Sequence, residues 1–328
     1  MATCAPIEVA VGVVLERSTT EGARRVLLAR RPEHSHQGGK WEFPGGKREP
    51  SESIVEALGR ELKEELDITV LACEPLIRVR HEYPEKTVLL DVWTVTRFKG
   101  TPHGREGQPV LWKAVAELDP VDFPPANRAI IQALRLPDRC LITPDAYDYR
   151  FGEFIDQVET VLRTGVRLLQ FRSHAMPRPD YFKLAREVSA VAADYRADCI
   201  LNAPFAWWPD LIKEGIPLSG FHLTSGTLRE VDRLPEGMGM ISAACHTGAD
   251  IKLANRLGLD FVYLSPVKPT ASHAGAGVLG WDNFKALVEQ AAMPVYALGG
   301  LTPADIPDAR RAGAQGIAAI RGLWPKNI

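Results

Sequence analysis

Residues 46–68 of this 328-residue chain read GKREPSESIVEALGRELKEELDI, and this stretch carries more information than any other part of the sequence. Ser51 or Ser53 can cap a helix that runs to about Leu66. Apolar residues recur within it at steps of three and four, which places them on one buried face. These residues are Val55, Leu58 and Leu62. The stretch therefore predicts an amphipathic helix with a defined start.

Three carboxylates lie close together on another face of this predicted helix. Glu61, Glu64 and Glu65 fall within about one turn, where like charges repel one another and give a purely structural helix no benefit. A Glu-rich helix can also be a solvated face, but a hard divalent cation prefers oxygen ligands and would relieve the repulsion. A bound cation also neutralises phosphate oxygens and activates water for attack on phosphorus. The cluster predicts a Mg²⁺ site, with Mn²⁺ as the alternative ion.

Residues beside the helix fit the same chemistry. Gly45 and Gly46 allow a tight loop against the helix start, where backbone amides can face an anionic oxygen. Arg60 is expected to hold one of the carboxylates in place from outside the metal site. We therefore expect a substrate with phosphate groups to bind next to this helix.

The spacing of the defining residues resembles the box of the Nudix hydrolases, which act on a nucleoside diphosphate linked to another group. These residues are Gly46, Glu52, Arg60, Glu61, Leu62, Glu64, Glu65 and Ile68. One position departs from the family pattern, because Asp67 stands where Gly is usual. Asp tolerates left-handed backbone geometry, so we expect the helix exit to be kept. The resemblance implies an α/β fold in which residues 1–136 form a Nudix α/β/α sandwich with a mixed sheet.

Flanking segments extend the resemblance over nearly all of residues 7–135 and narrow it to the MutT-type 8-oxo-dGTP diphosphatases. The segments are RRPEHSHQGGKWEFPGGK at residues 30–47, EGQP at 106–109 and DFPPAN at 122–127. The resemblance implies that Asn127 reads the edge of the oxidised purine, that main-chain atoms of Phe43 contact the base and that Arg31 lies at the nucleotide. An amide suits base reading because it offers a donor and an acceptor side by side. Asn127 can also cap the helix that follows it, and both roles can hold together.

The same resemblance implies the catalytic and metal-binding residues of this domain. The implied metal ligands are Gly45, Glu61, Glu64, Glu65 and Glu106. The implied catalytic residues are Arg60, Glu61, Glu65 and Glu106. Glu106 matches a loop carboxylate that joins the metal and water chemistry. The sequence leaves open which of the three catalytic carboxylates accepts the proton.

The length of the chain requires a second domain, because 328 residues exceed one comfortable core. The polar break LPDRC at residues 136–140 predicts a boundary there and a second domain over residues 137–328. Short apolar strands then alternate with helical stretches, which predicts a parallel (β/α)₈ TIM barrel, with a doubly wound open sheet as the alternative. The candidate strands are CLIT at 140, RLLQFR at 167, CILN at 199, GFHL at 220, MISAA at 240, FVYLS at 261, VYALGG at 295 and GIAAI at 316.

Binding sites of such barrels gather at the carboxyl ends of the strands, and phosphate is commonly held after the seventh and eighth strands. The residues there are Gly299, Gly300, Arg321 and Gly322. The strand ends resemble the thiamin phosphate synthase and TenI family. The matching segments are QFR at 170–172, LN at 201–202, GFHL at 220–223, SPVKPT at 265–270 and ALGGL at 297–301. The resemblance implies that Arg172 and Asn202 contact the barrel ligand.

Three departures from this family argue against synthase chemistry. The synthases hold magnesium pyrophosphate with two Asp residues, at positions where this chain has Ala203 and Thr227, and their Lys after the second-strand Arg is replaced, with His174 nearby. Losing two carboxylates removes most of the reason for Mg²⁺ to bind. TenI-like thiazole tautomerases need no metal, because moving a proton requires only an acid or a base. His246 matches their catalytic histidine, with a hydrogen-bonded structural histidine as the alternative.

Global composition excludes several classes of function. A net charge of −2 gives no broad electrostatic footprint for duplex DNA or an anionic membrane, so we expect action on free nucleotides rather than on a polymer. Five cysteines without framework spacing fit a reducing compartment. The N-terminus lacks the pattern of a signal peptide, and no stretch approaches a membrane span. The expectation is a cytoplasmic protein, and a homodimer is left open.

Three functional hypotheses follow from these patterns. The first is a Mg²⁺-dependent hydrolase that converts 8-oxo-dGTP to 8-oxo-dGMP and pyrophosphate, which cleans the nucleotide pool and avoids mutation. The second adds an active thiazole tautomerase in the barrel, so that the fusion carries two chemistries. The third makes the barrel a noncatalytic module that binds thiazole or thiamin phosphates or mediates dimerisation. The first hypothesis is favoured, with a barrel that lacks synthase activity.

Overall fold

The chain forms two compact units, the first ending at Arg135 and the second beginning at Leu136. The computed structural model describes residues 5–16, 24–33, 35, 37–146, 150–270 and 277–325. No helix in these ranges is both long enough and apolar enough to cross a membrane.

The first unit is built on a mixed four-stranded sheet and a smaller antiparallel sheet. The larger sheet has the order β4-β1-β6-β5, in which β1 runs parallel to β6 and antiparallel to β4. The smaller sheet has the order β3-β2-β7. The strands are β1 (Ile7–Val14), β2 (Arg25–Arg30), β3 (Trp41–Glu42), β4 (Gly45–Lys47), β5 (Thr69–Glu82), β6 (Thr87–Lys99) and β7 (Val110–Ala114). The helices are α1 (Ile54–Leu66) and α2 (Arg128–Arg135).

Helix α1 confirms the predicted start. Ser53 is the N-cap and forms a capping box with Glu56, in which each side chain accepts a hydrogen bond from the other residue's backbone amide. The buried residues of the helix are Ala57, Leu58, Leu62 and Leu66. Val55 does not belong to this face, because it is 41% exposed, so its expected place in the core was wrong.

The exit of α1 keeps the geometry that the family's Gly would supply. Asp67 adopts the left-handed conformation, with φ 56° and ψ 30°. Its amide donates to the carbonyls of Leu62 and Lys63, and its carboxylate pairs with the Lys63 ammonium group. These contacts offset the strain that a side chain feels in this region, which is about 1–2 kcal/mol.

Residues of β1 alternate between the two faces of the larger sheet. Ala10 and Val14 pack in the same apolar cluster as the buried residues of α1. Val11 and Val13 face the other way, into a cluster that contains the buried residues of α2. Each helix thus has its own core, as expected for a sheet between two helical layers.

The second unit is a closed, all-parallel barrel, which confirms the predicted TIM barrel and excludes the open sheet. Closure is made by β15 pairing with β8, between residues 317–319 and 139–141. The strands are β8 (Arg139–Ile142), β9 (Leu168–Arg172), β10 (Asp198–Asn202), β11 (Gly220–Leu223), β12 (Met240–Cys245), β13 (Phe261–Leu264), β14 (Val295–Leu298) and β15 (Gly316–Ala319). The helices are α3 (Phe151–Arg163), α4 (Arg178–Asp194), α5 (Trp208–Lys213), α6 (Ser225–Glu230), α7 (Gly248–Leu257), α8 (Gly280–Val288) and α9 (Ile306–Arg311).

Large side chains fill the barrel interior near the starts of the strands. Phe261, Tyr263 and Tyr296 pack there with Cys140, whose thiol lies 3.1 Å from the Tyr263 hydroxyl. Burial raises the pKa of the Cys140 thiol to about 12, so this sulfur is an inert part of the core. This filled interior makes the carboxyl ends of the strands the expected place for a ligand.

Candidate functional sites

Arg60 is the centre of an ion-pair network on the outer side of α1. Its guanidinium donates to Glu52 at 2.7 Å, to Glu61 at 2.9 Å and to Glu64 at 3.2 Å. It also donates to the carbonyl of Lys47 at 3.1 Å. The Arg60 hydrogen bond is the main reason that the pKa of the Glu52 carboxyl lies below its usual value. Arg60 therefore ties the helix to β4 and fixes the position of the Glu61 carboxylate.

Gly45 and Gly46 lie in β4 and not in the expected loop, because both pair with β1. The Gly45 amide donates to the Glu65 carboxylate at 3.1 Å. A Cβ atom on Gly46 would lie 2.2 Å from the carboxyl carbon of Glu61. The two glycines thus let a pair of carboxylates from α1 come against the backbone of the sheet.

Alanine at these two glycines should separate folding from activity. Gly45→Ala is expected to lower the free energy of unfolding of the unit by about 2 kcal/mol or more, because φ is +145° and the new Cβ would lie 2.1 Å from the Ala10 carbonyl oxygen. The nearest atoms to a Cβ on Gly46 belong to the Glu61 side chain, which would have to shift from its place beside Arg60, so turnover should fall about tenfold with a smaller loss of stability. Thermal melts and steady-state kinetics on both variants check this, and equal effects on stability would contradict it.

Glu65 is the most perturbed carboxyl group of the first unit. Burial raises its pKa to about 8, against the opposing hydrogen bond from the Gly45 amide. The charges of Glu42, Glu61 and Glu106 raise it further. Four carboxylates therefore interact at this end of the sheet.

The loop that carries Glu106 is fastened to the end of α1. The Arg105 amide and the Gln108 side chain both donate to the Glu65 carbonyl, at 3.0 and 3.1 Å. The Glu106 amide donates to the Gln108 side chain at 2.9 Å. These bonds bring an exposed carboxylate from a distant part of the chain to the metal-binding residues that the sequence predicts.

The chemistry of this donor set fits a hard divalent cation. Burial and mutual repulsion disfavour the ionised form of Glu65, and a divalent cation with oxygen ligands would relieve both. The side chains are not arranged as a complete metal site, since no three His, Cys, Asp or Glu residues in the described ranges converge on one metal position. Glu64 is 58% exposed and accepts from Arg60, as Glu61 also does, and Glu106 is exposed.

A cavity of about 210 Å³ lies beside these carboxylates and contains all three predicted nucleotide-binding residues. Arg31, Phe43 and Asn127 line it together with Gly45 and Gly46. The Asn127 side-chain oxygen accepts a hydrogen bond from the Phe43 amide at 3.4 Å. Since an amide N–H can only donate, this contact fixes which way the Asn127 amide group is turned. Its nitrogen has no partner among the residues that the structure describes.

A second cavity, of about 500 Å³, opens at the carboxyl ends of the barrel strands. All seven predicted barrel residues line it. They are Arg172, Asn202, His246, Gly299, Gly300, Arg321 and Gly322. Gly322 passes so close to the Leu301 carbonyl that a Cβ atom would lie 2.1 Å from it. The sequence-based placement of a ligand at this end of the barrel therefore has a cavity of suitable size.

The barrel cavity is lined by apolar residues together with polar groups that are neutral or cationic. None of its described lining residues is Asp or Glu, although Arg172, His174 and Arg321 are present. Thr227 faces its own helix start, where its amide donates to Thr224. The described lining therefore suits an anion and offers no carboxylate ligands for Mg²⁺.

His246 follows β12 and is held by two elements. Its amide donates to the buried Asp250 carboxylate at 3.0 Å, and its Nδ1 lies 2.9 Å from the Ser265 carbonyl. The Ser265 hydroxyl also lies 3.3 Å from Nδ1, but the carbonyl is nearer and only accepts, so Nδ1 carries the proton and Nε2 keeps its lone pair. Nε2 has no other partner in the described part of the chain, which leaves a proton acceptor in the cavity.

Comparison with known proteins decides the family. Residues 139–323, more than half of the chain, match the family model described as thiamine monophosphate synthase, and residues 17–133 match the model described as NUDIX domain. An 8-oxo-dGTP diphosphatase of Escherichia coli is 36% identical over 129 residues, which are 39% of this chain and 96% of that protein. The chain belongs to the Nudix and thiamine monophosphate synthase families. It is a Nudix hydrolase with a barrel of the second family attached.

Two further relatives show the breadth of each family. A putative thiamine-phosphate synthase of Aquifex aeolicus is 33% identical over 174 residues, which are 52% of this chain and 90% of that protein. A CTP pyrophosphohydrolase of Escherichia coli is 38% identical over 123 residues, which are 38% of this chain and 87% of that protein. Relatives with similar Nudix domains are thus named for different nucleotides.

Sequence reasoning missed several residues of both cavities. In the Nudix unit, Tyr83 and Lys86 line the cavity of about 210 Å³ from the turn between β5 and β6, and Glu42 pairs there with Arg31. Nothing in the local sequence marks these residues, because only the pairing of two long strands brings the turn to the cavity. In the barrel, His222 was hidden in an apolar strand motif. The sequence signal that could have revealed His222 is a polar residue at an interior-facing position of a barrel strand.

Proposed function

We propose that the Nudix unit hydrolyses 8-oxo-dGTP to 8-oxo-dGMP and pyrophosphate with Mg²⁺ as cofactor. The observation that carries this proposal is the single cavity that Arg31, Phe43 and Asn127 share beside the carboxylate-rich end of α1. A purine and its phosphates need these two features side by side. We further propose that residues 1–136 and 137–328 are separate functional domains.

The base end of the cavity offers a rigid donor and acceptor. The Phe43 amide holds the Asn127 oxygen, which keeps one lone pair for a ligand, while the Asn127 nitrogen donates without a protein competitor in the described residues. Phe43 and Phe123 stack at 5.8 Å between ring centroids, and Phe43 is buried. A base edge that presents a matching acceptor and donor would bind here with a defined orientation.

The phosphate end supplies the residues for hydrolysis. Glu61, Glu65 and Glu106 would hold the divalent cation, which neutralises phosphate oxygens and lowers the pKa of water. Arg60 keeps Glu61 in place, and the Gly45 amide orients Glu65. Water adds to a phosphorus, the bond from that phosphorus to the bridging oxygen breaks, 8-oxo-dGMP and pyrophosphate separate, and one proton of the water passes to a carboxylate.

Replacing Asn127 should remove the preference for the oxidised base. We expect Asn127→Ala to lower kcat/KM for 8-oxo-dGTP by about fivefold to about 150-fold, which corresponds to about 1–3 kcal/mol for a lost buried hydrogen bond. Turnover of dGTP should change little. Pyrophosphate release from both nucleotides, measured side by side with Mg²⁺, gives the ratio.

Asn127→Asp is the matched control for this experiment. Asp keeps the oxygen that accepts from the Phe43 amide but replaces the donor nitrogen with a second acceptor. The fold should therefore be kept while the preference is lost. CTP belongs in the same assay, since one relative is named for it. Faster turnover of CTP or dGTP than of 8-oxo-dGTP by the unaltered protein would overturn the proposal.

We propose a metal-free thiazole tautomerase as a second function, located in the barrel. The observation that favours it is the Nε2 lone pair of His246 in a cavity without a described carboxylate lining. His246 would take a proton from one atom of a phosphorylated thiazole carboxylate and return it to another, so no proton is gained or lost. Saturable binding without turnover would favour the alternative of a noncatalytic module.

A further inference from the structure

His222 is a buried histidine at the floor of the barrel cavity, and nothing in the proposed functions uses it. It is the third residue of β11 and is 4% exposed. Its Nδ1 lies 2.9 Å from the hydroxyl oxygen of Ser242, the residue paired with it on β12. Its ring packs against Tyr263 with 5.1 Å between centroids. The ring is therefore fixed on one edge and on one face.

The neighbouring serine decides where the proton of His222 lies. Ser242 is fully buried, and His222 Nδ1 is its side chain's only hydrogen-bond partner among the described residues. A hydroxyl has one proton, and a buried donor without an acceptor is unfavourable. The Ser242 hydroxyl therefore donates to Nδ1, and the proton of the neutral imidazole resides on Nε2. Nε2 has no partner within the described ranges.

The surroundings of His222 keep it uncharged. Burial lowers its pKa to about 3, and the positive charges of His174 and Arg172 lower it further. Tyr263 faces it as a neutral phenol, since burial raises the pKa of that hydroxyl well above its usual value. Near neutral pH the ring thus offers one N–H group and no charge.

Arg172 supplies the charge that His222 lacks. Its Nε donates to the Thr143 carbonyl at 3.0 Å, and the charge of Asp145 acts on its guanidinium. Its terminal nitrogens make no hydrogen bond to the other residues that the structure describes. Arg172 and His222 both line the cavity. His246, which follows the neighbouring strand β12, presents a hydrogen-bond acceptor, whereas His222 and Arg172 present donors. Hydrogen-bond donors at the floor call for an anionic oxygen on the ligand.

We propose that His222 is a specificity-determining residue, which acts as a fixed neutral hydrogen-bond donor and selects barrel ligands that carry a carboxylate at the end remote from their phosphate. The inference rests on the phosphorylated ligand proposed above for the barrel. His222 and Ser242 form the recognition element, and Arg172 adds the charge. No metal ion takes part.

The test compares two probes on the full-length protein by isothermal titration calorimetry. One probe is a thiazole phosphate, and the other is the same compound with a carboxylate on the thiazole ring. The unaltered protein should bind the carboxylate about tenfold or more tightly, with chelator present. His222→Phe keeps the ring against Tyr263 but should lose this preference, while His222→Gln places an amide N–H near Nε2 and should keep most of it.

Controls separate recognition from folding and from charge. Circular dichroism and thermal melts of each full-length variant report that its barrel is folded, and hydrolysis by the Nudix unit of the same chain reports the protein concentration. The ratio of the two affinities should stay constant from about pH 6 to about pH 8, because a neutral donor does not titrate there and the ligand phosphate cancels in the ratio. A ratio that falls with rising pH would mean a charged histidine and would overturn the inference.

The remaining outcomes are also decisive. Equal binding of both probes, or a preference that persists in His222→Phe, refutes the role of His222 and leaves the barrel ligand intact. Binding of neither probe to the unaltered protein overturns both the ligand and the inference. Independently of any ligand, ¹⁵N chemical shifts of the His222 ring should show a protonated Nε2, and Ser242→Ala should allow both tautomers. A protonated Nδ1 in the unaltered protein would refute the assignment.

Discussion

Glu65→Gln is expected to lower nucleotide hydrolysis by about 10³-fold or more, the largest effect of any single change in the Nudix unit. The substitution keeps the size of the side chain and its contact with the Gly45 amide, but it removes a negative charge from the proposed cation site. Outer residues of metal sites alone account for about 10- to 100-fold in activity, so a ligand should exceed that. Pyrophosphate release with saturating Mg²⁺ measures the loss.

The same variant should be more stable than the unaltered protein when divalent cations are removed. The folded-state pKa of Glu65 is about 8, above its ordinary value of 4.5, so folding takes up a proton between these two values. The contribution of Glu65 to stability is therefore fully present below about pH 4.5 and is lost as the pH rises towards 8. Gln does not titrate, so the gain in Tm of Glu65→Gln should be larger at about pH 8 than at about pH 5.

Glu117→Gln is the matched control, since Glu117 is an exposed carboxylate of the same unit. It should change neither the rate nor the pH dependence of Tm. If Glu65→Gln retains hydrolysis within about tenfold, then Glu65 is not a ligand of the cation, and Glu61 and Glu106 would have to hold it without Glu65.

His246→Asn is expected to lower thiazole tautomerisation by about 10²- to about 10⁴-fold, the range that a positioned acid or base contributes. Asn removes the Nε2 lone pair from the cavity while its amide can still reach the Ser265 carbonyl that now holds Nδ1. Hydrolysis of nucleotides by the Nudix unit should be unchanged. Proton exchange in a phosphorylated thiazole carboxylate, followed by NMR, gives the rate.

His103→Gln is the control for this second experiment, because His103 is exposed in the Nudix unit. It should leave tautomerisation at the level of the unaltered protein. A drop in Tm for His246→Asn without any change in tautomerisation would assign His246 a purely structural role. No tautomerisation by the unaltered protein would instead favour a barrel that only binds its ligand.

Much of the fold could be predicted because its causes are local. The eight barrel strands are short apolar runs between helical stretches, and each one formed where the sequence indicated. The start of α1 could be predicted as Ser51 or Ser53, and the structure selects Ser53 through reciprocal hydrogen bonds with Glu56, only three residues away. Capping and periodicity need no knowledge of the rest of the chain.

Other features could not be predicted because they depend on residues distant in sequence. The sequence at Gly45 and Gly46 predicts a loop, but pairing with the distant strand β1 makes them part of a strand. Val55 has the spacing of a buried residue, but spacing does not reveal how far the core extends along the helix. The nucleotide cavity and the barrel floor likewise combine residues from many separate elements, which only the folded chain brings together.

Asp67 shows that a sequence motif can be defined by backbone conformation, so that it also recognises family members with an unusual residue. A pattern that demands glycine after the helix rejects this chain, although the backbone at that position adopts the left-handed conformation. A pattern written in backbone conformations would accept glycine, asparagine or aspartate there, because these residues enter that region most easily. Database searches and protein redesign could then treat the position as a constraint on torsion angles instead of a constraint on letters.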